Sequence, residues 1–109
     1  MGSFDQALRK KKAVKFDTIP DGVHTIKCIK SVEGKFGPSY IMLIGDDLQP
    51  YWSNSYMNTC IEGLEKDKFE DPTTKYLMNN GHPIATVEVM PCESGKYPKL
   101  YEFNELPPL

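Results

Sequence analysis

The block from Tyr56 to Gly81 places Met57, Cys60, Ile61, Leu64 and Phe69 at three- and four-residue intervals, whereas the stretches before and after it alternate with a period of two. A helix buries one stripe and a strand one face, so the switch of period dictates a sheet interrupted by a single helical connector. Three strands are predicted upstream. VHTIKCIKSVE (Val23 to Glu33) is the first, and its apolar residues Ile26, Cys28, Ile29 and Val32 change parity midway, as at a bend or bulge. SYIMLIGD (Ser39 to Asp46) is apolar on both faces, with Tyr40, Met42 and Ile44 alternating against Ile41 and Leu43. QPYWSNS (Gln49 to Ser55) sets Tyr51 and Trp52 on opposite faces. Downstream, PIATVEVM (Pro83 to Met90) and KLYEFNE (Lys99 to Glu105) are two more strands around the turn ESGKYP.

Within the connector, Pro72 interrupts the helical pattern before a second helical piece containing Tyr76, Leu77 and Met78, and Asn79-Asn80-Gly81 reads as its stop. Ahead of the first strand, IPDG (Ile19 to Gly22) is a turn in which Gly22 takes a positive φ. The expected fold is all-β: a barrel with one helical connector, in the order β-β-β-α-β-β, its first three strands a meander. The 109 residues suffice for one core and divide into a basic arm or short helix (1–17), the β domain (18–105) and a short proline-bearing tail (106–109) that follows Glu105.

Charge is unevenly spread. Met1 to Lys35 holds eight basic and four acidic residues, a balance of +4, and the remainder carries −6, for a total of −2. A polyanion is therefore drawn to the N-terminal third and repelled by the rest. Cys28, Cys60 and Cys92 are odd in number and far apart, which fits buried, reduced thiols better than disulfides or a zinc knuckle. His24 and His82 have no metal-ligand spacing, so neither a metal nor another cofactor is expected. With no nucleophile motif and no phosphate-binding glycine loop, the chain does not read as an enzyme. No apolar stretch is long enough for a membrane span, which points to an intracellular protein of the cytoplasm or nucleus.

The element order, the glycine-bracketed tip Gly34-Lys35-Phe36-Gly37, and the tryptophan in the third strand together resemble small OB-fold proteins that bind single-stranded DNA. The likeness extends from Thr18 to Glu105. It implies a five-stranded Greek-key barrel with a ligand groove across strands two and three, flanked by the loops joining strands one to two and four to five. Single strands need cations for phosphates and flat side chains for bases. The resemblance assigns stacking to Phe36, Tyr40, Trp52 and Tyr97, and phosphate contacts to Lys27, Lys30, Lys35 and Lys96. Arg9, Lys10, Lys11 and Lys12 would add an electrostatic clamp. It also implies single-stranded DNA or RNA as partner, self-association as is common in such proteins, and recruitment of replication or recombination proteins by the tail.

Two features oppose that assignment. The isoelectric point near 5.6 is low for a nucleic-acid binder, and Lys27 and Lys30 differ in parity unless the strand bends between them. The alternative is a small β-barrel that docks onto a protein partner through Phe36, Tyr97 and the terminal LPPL, with no nucleic-acid ligand.

Overall fold

The strand entered through Gly22 organises the rest of the chain. In a computed structural model, which describes residues 3–34, 37–91 and 100–109, β2 (Gly22–Gly34) serves two antiparallel neighbours. Its first part pairs with β5 (Ala85–Met90) and its second with β3 (Gly37–Ile44). Gly22 takes φ 125°, as the IPDG turn requires. The handover falls at a bulge: Ile26 lies opposite Ile44 but Cys28 opposite Leu43, leaving Lys27 as the extra residue. Ile26 and Ile29 consequently both enter the main core while Cys28 packs on the other side of the sheet, which is the parity change seen in the sequence.

β4 (Gln49–Trp52) completes the antiparallel meander against β3, and β6 (Leu100–Glu105) pairs with β5. A sixth strand, β1 (Val14–Lys15), runs parallel to β4, so the strand order is β1-β4-β3-β2-β5-β6. The described residues are thus mostly β, one six-stranded mixed sheet with two short helices, α1 (Ser3–Lys10) and α2 (Ser55–Glu62). The expectation of five strands is corrected by β1: two residues are too few to show a period, so it reads as arm in the sequence. The residues after it enter the core as well, with Phe16 1% exposed and Ile19 fully buried.

Phe16 ties together the two ends of the sheet. Its ring meets Tyr51 of β4 edge-on at 6.3 Å and Tyr101 of β6 at 5.1 Å, and Tyr101 in turn stacks on Tyr56 of α2 at 5.5 Å. Among the described residues no backbone ladder joins β6 to β1 or β4; this aromatic seam spans the gap instead. Two polar contacts reinforce it, the Tyr101 hydroxyl donating to Asp17 Oδ1 at 3.3 Å and the Phe103 N–H to the Tyr56 hydroxyl at 3.1 Å.

The connector departs most from expectation. Asn54 caps α2, its Oδ1 accepting the Met57 N–H at 2.9 Å, and the helix ends at Gly63. Beyond a short 3₁₀ turn at Lys66–Lys68 the chain is not helical. Asp71 accepts from the Thr74 N–H and hydroxyl, Lys75 takes φ 67°, and Leu77 runs extended beside β2, exchanging backbone hydrogen bonds of 3.0 and 2.8 Å with Ile29. Pro72 and this Asx turn break the helix. Asn79-Asn80-Gly81 is therefore not a helix stop. Asn80 (φ 51°) and Gly81 (φ 84°) form a tight turn between Asn79 and His82, in which both central residues have positive φ.

The tail is part of the same unit. Asn79, only 3% exposed, donates to the carbonyls of Pro83 (2.9 Å) and Pro107 (3.1 Å) and accepts from the Leu109 N–H (2.7 Å). The expected recruiting tail is thus strapped to the 79–84 turn. On the outer face of the sheet, Cys28 and Leu43 form a second, smaller cluster with Leu8 of α1, Leu48, Tyr76 and Met78.

Candidate nucleic-acid interface

Alternation along β3 decides what its neighbours present outward. Tyr40, Met42 and Ile44 point into the core, so Ile41 and Leu43 point away from it. The ladder registers carry that direction across the sheet: Lys30 of β2 pairs with Ile41, Ile41 with Trp52, and Trp52 with Lys15 of β1. One level of the outer face therefore reads Lys30, Ile41, Trp52, Lys15, with a lysine on each side of the apolar pair. Trp52 is 38% exposed, whereas Tyr51, one residue earlier, packs against the core. Lys15 is exposed, and the Lys30 ammonium lies 5.9 Å from the centre of the Tyr76 ring.

A recess of about 550 Å³ opens beside Trp52, bordered by Lys15, Ser39, Asn54 and Asn58. Its walls follow from the strand end: Ser53 continues the β3 ladder through Ser53 N–H to Tyr40 O at 2.9 Å, and α2 then starts and turns Asn58 back toward the sheet. The Ser53 hydroxyl accepts the Tyr40 N–H at 3.3 Å and donates its own proton to Asn58 Oδ1. Asp17, at the rim, is engaged by Asn54 Nδ2 at 3.0 Å and by the Tyr101 hydroxyl. Burial pushes the Tyr101 phenol above its ordinary pKa, and the Asp17 carboxylate adds to the effect. Tyr51 and Tyr56 are raised in the same direction, chiefly by burial.

The candidates named from the sequence separate in the structure. Trp52 and Lys30 share the outer face. Tyr40 does not join them: it is 6% exposed and its ring belongs to the core, because it shares parity with Met42 and Ile44. A buried ring offers no face to a base. Lys66 sits 5.8 Å over it. Lys27 occupies the bulge, with its ammonium 3.9 Å from Asp46. Arg9 and Lys10 are exposed at the end of α1, while Lys11 donates to the Asp47 carbonyl and the Lys12 carbonyl accepts from Gln49 Nε2 at 3.0 Å. The basic run is thus moored to the β3–β4 turn. Lys35, Phe36, Lys96 and Tyr97 lie outside the described residues, as does Cys92.

Lys15, Ile41 and Asn58 are the residues that sequence reasoning passes over. For Ile41 the signal is present, since its parity relative to Trp52 follows once the two-strand register is known. Lys15 and Asn58 carry none, because one sits in a two-residue strand and the other on a helix that folds back. Cys28 is buried and Cys60 half-buried. Among the described residues no three His, Cys, Asp or Glu side chains gather as metal ligands, and no helix is long and apolar enough to cross a membrane. Comparison with protein-family models, curated proteins and solved structures found no match to the chain.

Proposed function

We propose that the protein binds single-stranded nucleic acid, most naturally single-stranded DNA, along the Lys30–Ile41–Trp52–Lys15 level of the outer face, beside the Cys28–Leu43 cluster, by stacking and phosphate contacts with little sequence selectivity. The observation that carries this reading is the exposed Trp52 indole on one level of the sheet with Lys15 on the adjacent strand and Lys30 two strands away on the other side. Neighbouring phosphates of an extended strand need cations on both sides of a stacked base, and every base has a face to stack. The exposed Arg9 and Lys10 add positive charge at the same end of the chain, which draws a polyanion to this side despite the net charge of −2. At the level of the fold, the reading takes the mixed sheet to be a barrel of the OB type. Three meander strands, a helical connector and two returning strands share the central bent β2, and the Phe16 seam draws the sheet's ends together.

The test is quenching of Trp52 fluorescence by a short oligo-dT, repeated at rising salt. Quenching at low salt is expected, with an affinity that falls along a log–log slope of about −0.7 per phosphate neutralised. Lys15→Ala should flatten that slope by about the same amount. Trp52→Ala, followed by anisotropy of a labelled oligonucleotide, should weaken binding about tenfold or more at an unchanged melting temperature, since one stack contributes ~1–3 kcal/mol. Absence of quenching and of an anisotropy change at low salt would remove this reading in favour of a protein-docking module.

A further inference from the structure

We infer that Tyr76, on the strap beside β2, is a positioning residue for nucleic-acid binding: its ring holds the Lys30 ammonium on the outer face, ready for a phosphate. This rests on the single-strand reading above and adds to it a residue from outside the sheet.

The register brings the two side chains together. Leu77 and Ile29 are paired antiparallel, so Tyr76 lies beside Lys30. Leu77 and Ile29 enter the main core, which turns Tyr76 and Lys30 to the opposite face, where Tyr76 packs against Cys28 and Leu43. The level Lys30, Ile41, Trp52, Lys15 thereby gains a second ring at its far end. Neighbouring strands lie about 4.8 Å apart, which sets the Tyr76 backbone about 14 Å from that of Trp52, too far for a change at one ring to act through the other. The Tyr76 backbone is fixed from two sides. Its N–H donates to Thr74 Oγ1 at 3.2 Å and its carbonyl accepts the Asp71 N–H at 2.8 Å, while the next residue is bonded to Ile29. A lysine, by contrast, ends a flexible four-carbon stem. Lys27 on the same strand has its ammonium near Asp46, but no carboxylate among the described residues pairs with Lys30. The Lys30 ammonium lies over the Tyr76 ring instead, 5.9 Å from its centre, within the reach of a cation–ring attraction. An ammonium has three N–H donors, so the ring on one side leaves donors on the other for a phosphate. Holding the stem in this way removes rotamer freedom before the ligand arrives, which lowers the ordering cost of the phosphate contact.

The experiment measures anisotropy of a labelled oligo-dT at fixed low salt with the native chain, Tyr76→Leu, Tyr76→Phe, Lys30→Ala and the double variant of Lys30→Ala with Tyr76→Leu. Tyr76→Leu keeps an apolar side chain on Cys28 and Leu43 but removes the ring, and should weaken binding about two- to fivefold, the equivalent of an exposed cation–ring contact. Tyr76→Phe keeps the ring and should bind as the native chain does. On the Lys30→Ala background the leucine substitution should cost nothing further, because its effect runs through the ammonium. Equal affinity of Tyr76→Leu and the native chain, an equal loss in Tyr76→Phe, or a loss that persists without Lys30 would overturn the role while leaving single-strand binding intact. Proton NMR of the free native chain gives a readout that needs neither ligand nor variant. The Lys30 ε-methylene should be shifted upfield by the ring, and a signal at the ordinary lysine position would overturn the contact. Failure of the native chain to bind oligo-dT, with that upfield shift present, would overturn the single-strand reading and the role with it.

Discussion

Phe16 sits where one side chain touches three parts of the molecule, the start of the chain, β4 and β6. It is 1% exposed, and its loss would leave Tyr51 and Tyr101 facing a void that the backbone of two strands cannot close. Phe16→Ala should therefore destabilise the fold by about 3–5 kcal/mol, read from the urea midpoint at unchanged m-value. Tyr40 and Trp52 show how much the face on which an aromatic lies matters. In the sequence both are large rings in apolar strands and equally fit to stack on a ligand. One parity step, resolved only by the register with β4, sends Tyr40 into the core and Trp52 to solvent. Asn79 had no such signal at all. It reads as part of a stop sequence, yet it is the buried amide that holds the tail.

At the level of elements, the sheet is legible wherever alternation runs for six residues or more, and the parity change over Ile26, Cys28 and Ile29 even locates the bulge. The stretch after Gly63 is not legible, because Phe69, Leu77 and Met78 are apolar at spacings that suit a helix as well as an extended strap pressed on β2. What decides between them is local polar chemistry. Asp71 accepts two hydrogen bonds from Thr74, which hold its carboxylate pKa below the ordinary value, with a smaller contribution from the Lys75 charge. A depressed carboxylate lends its stability above the normal Asp range and loses it as the pH falls through the lowered value. Amide protection at Leu77 should accordingly drop in acid. Asp71→Ala should show the reduced protection already at neutral pH and lose the acid step, whereas an unchanged acid step in that variant would place its origin elsewhere. The candidate site was only half visible for a related reason: its strand residues obey a period, but Lys15 and Asn58 reach it through a two-residue strand and the fold-back of α2.

For the molecule as a whole, the seam that joins the sheet's ends contains three tyrosines whose pKa values all lie above normal, with burial as the leading cause. A phenol with a raised pKa contributes its full stability below the ordinary tyrosine value of about 10, and that contribution is lost as the pH climbs past it. Alkaline unfolding should begin in that window, followed by tyrosinate absorbance together with circular dichroism. Tyr101→Phe should shift its onset upward, because it removes the ionising group beside Asp17 while keeping the ring against Phe16. The same seam sets an order of events during synthesis. Asp17 and its partner Tyr101 are 84 positions apart, so the N-terminal segment finds its final neighbours only when the last strand has left the ribosome. Closing so long a loop is slow, and the gain arrives only at the end. Until then Phe16 can meet Tyr51 of β4 but lacks the cover that Tyr101 gives it.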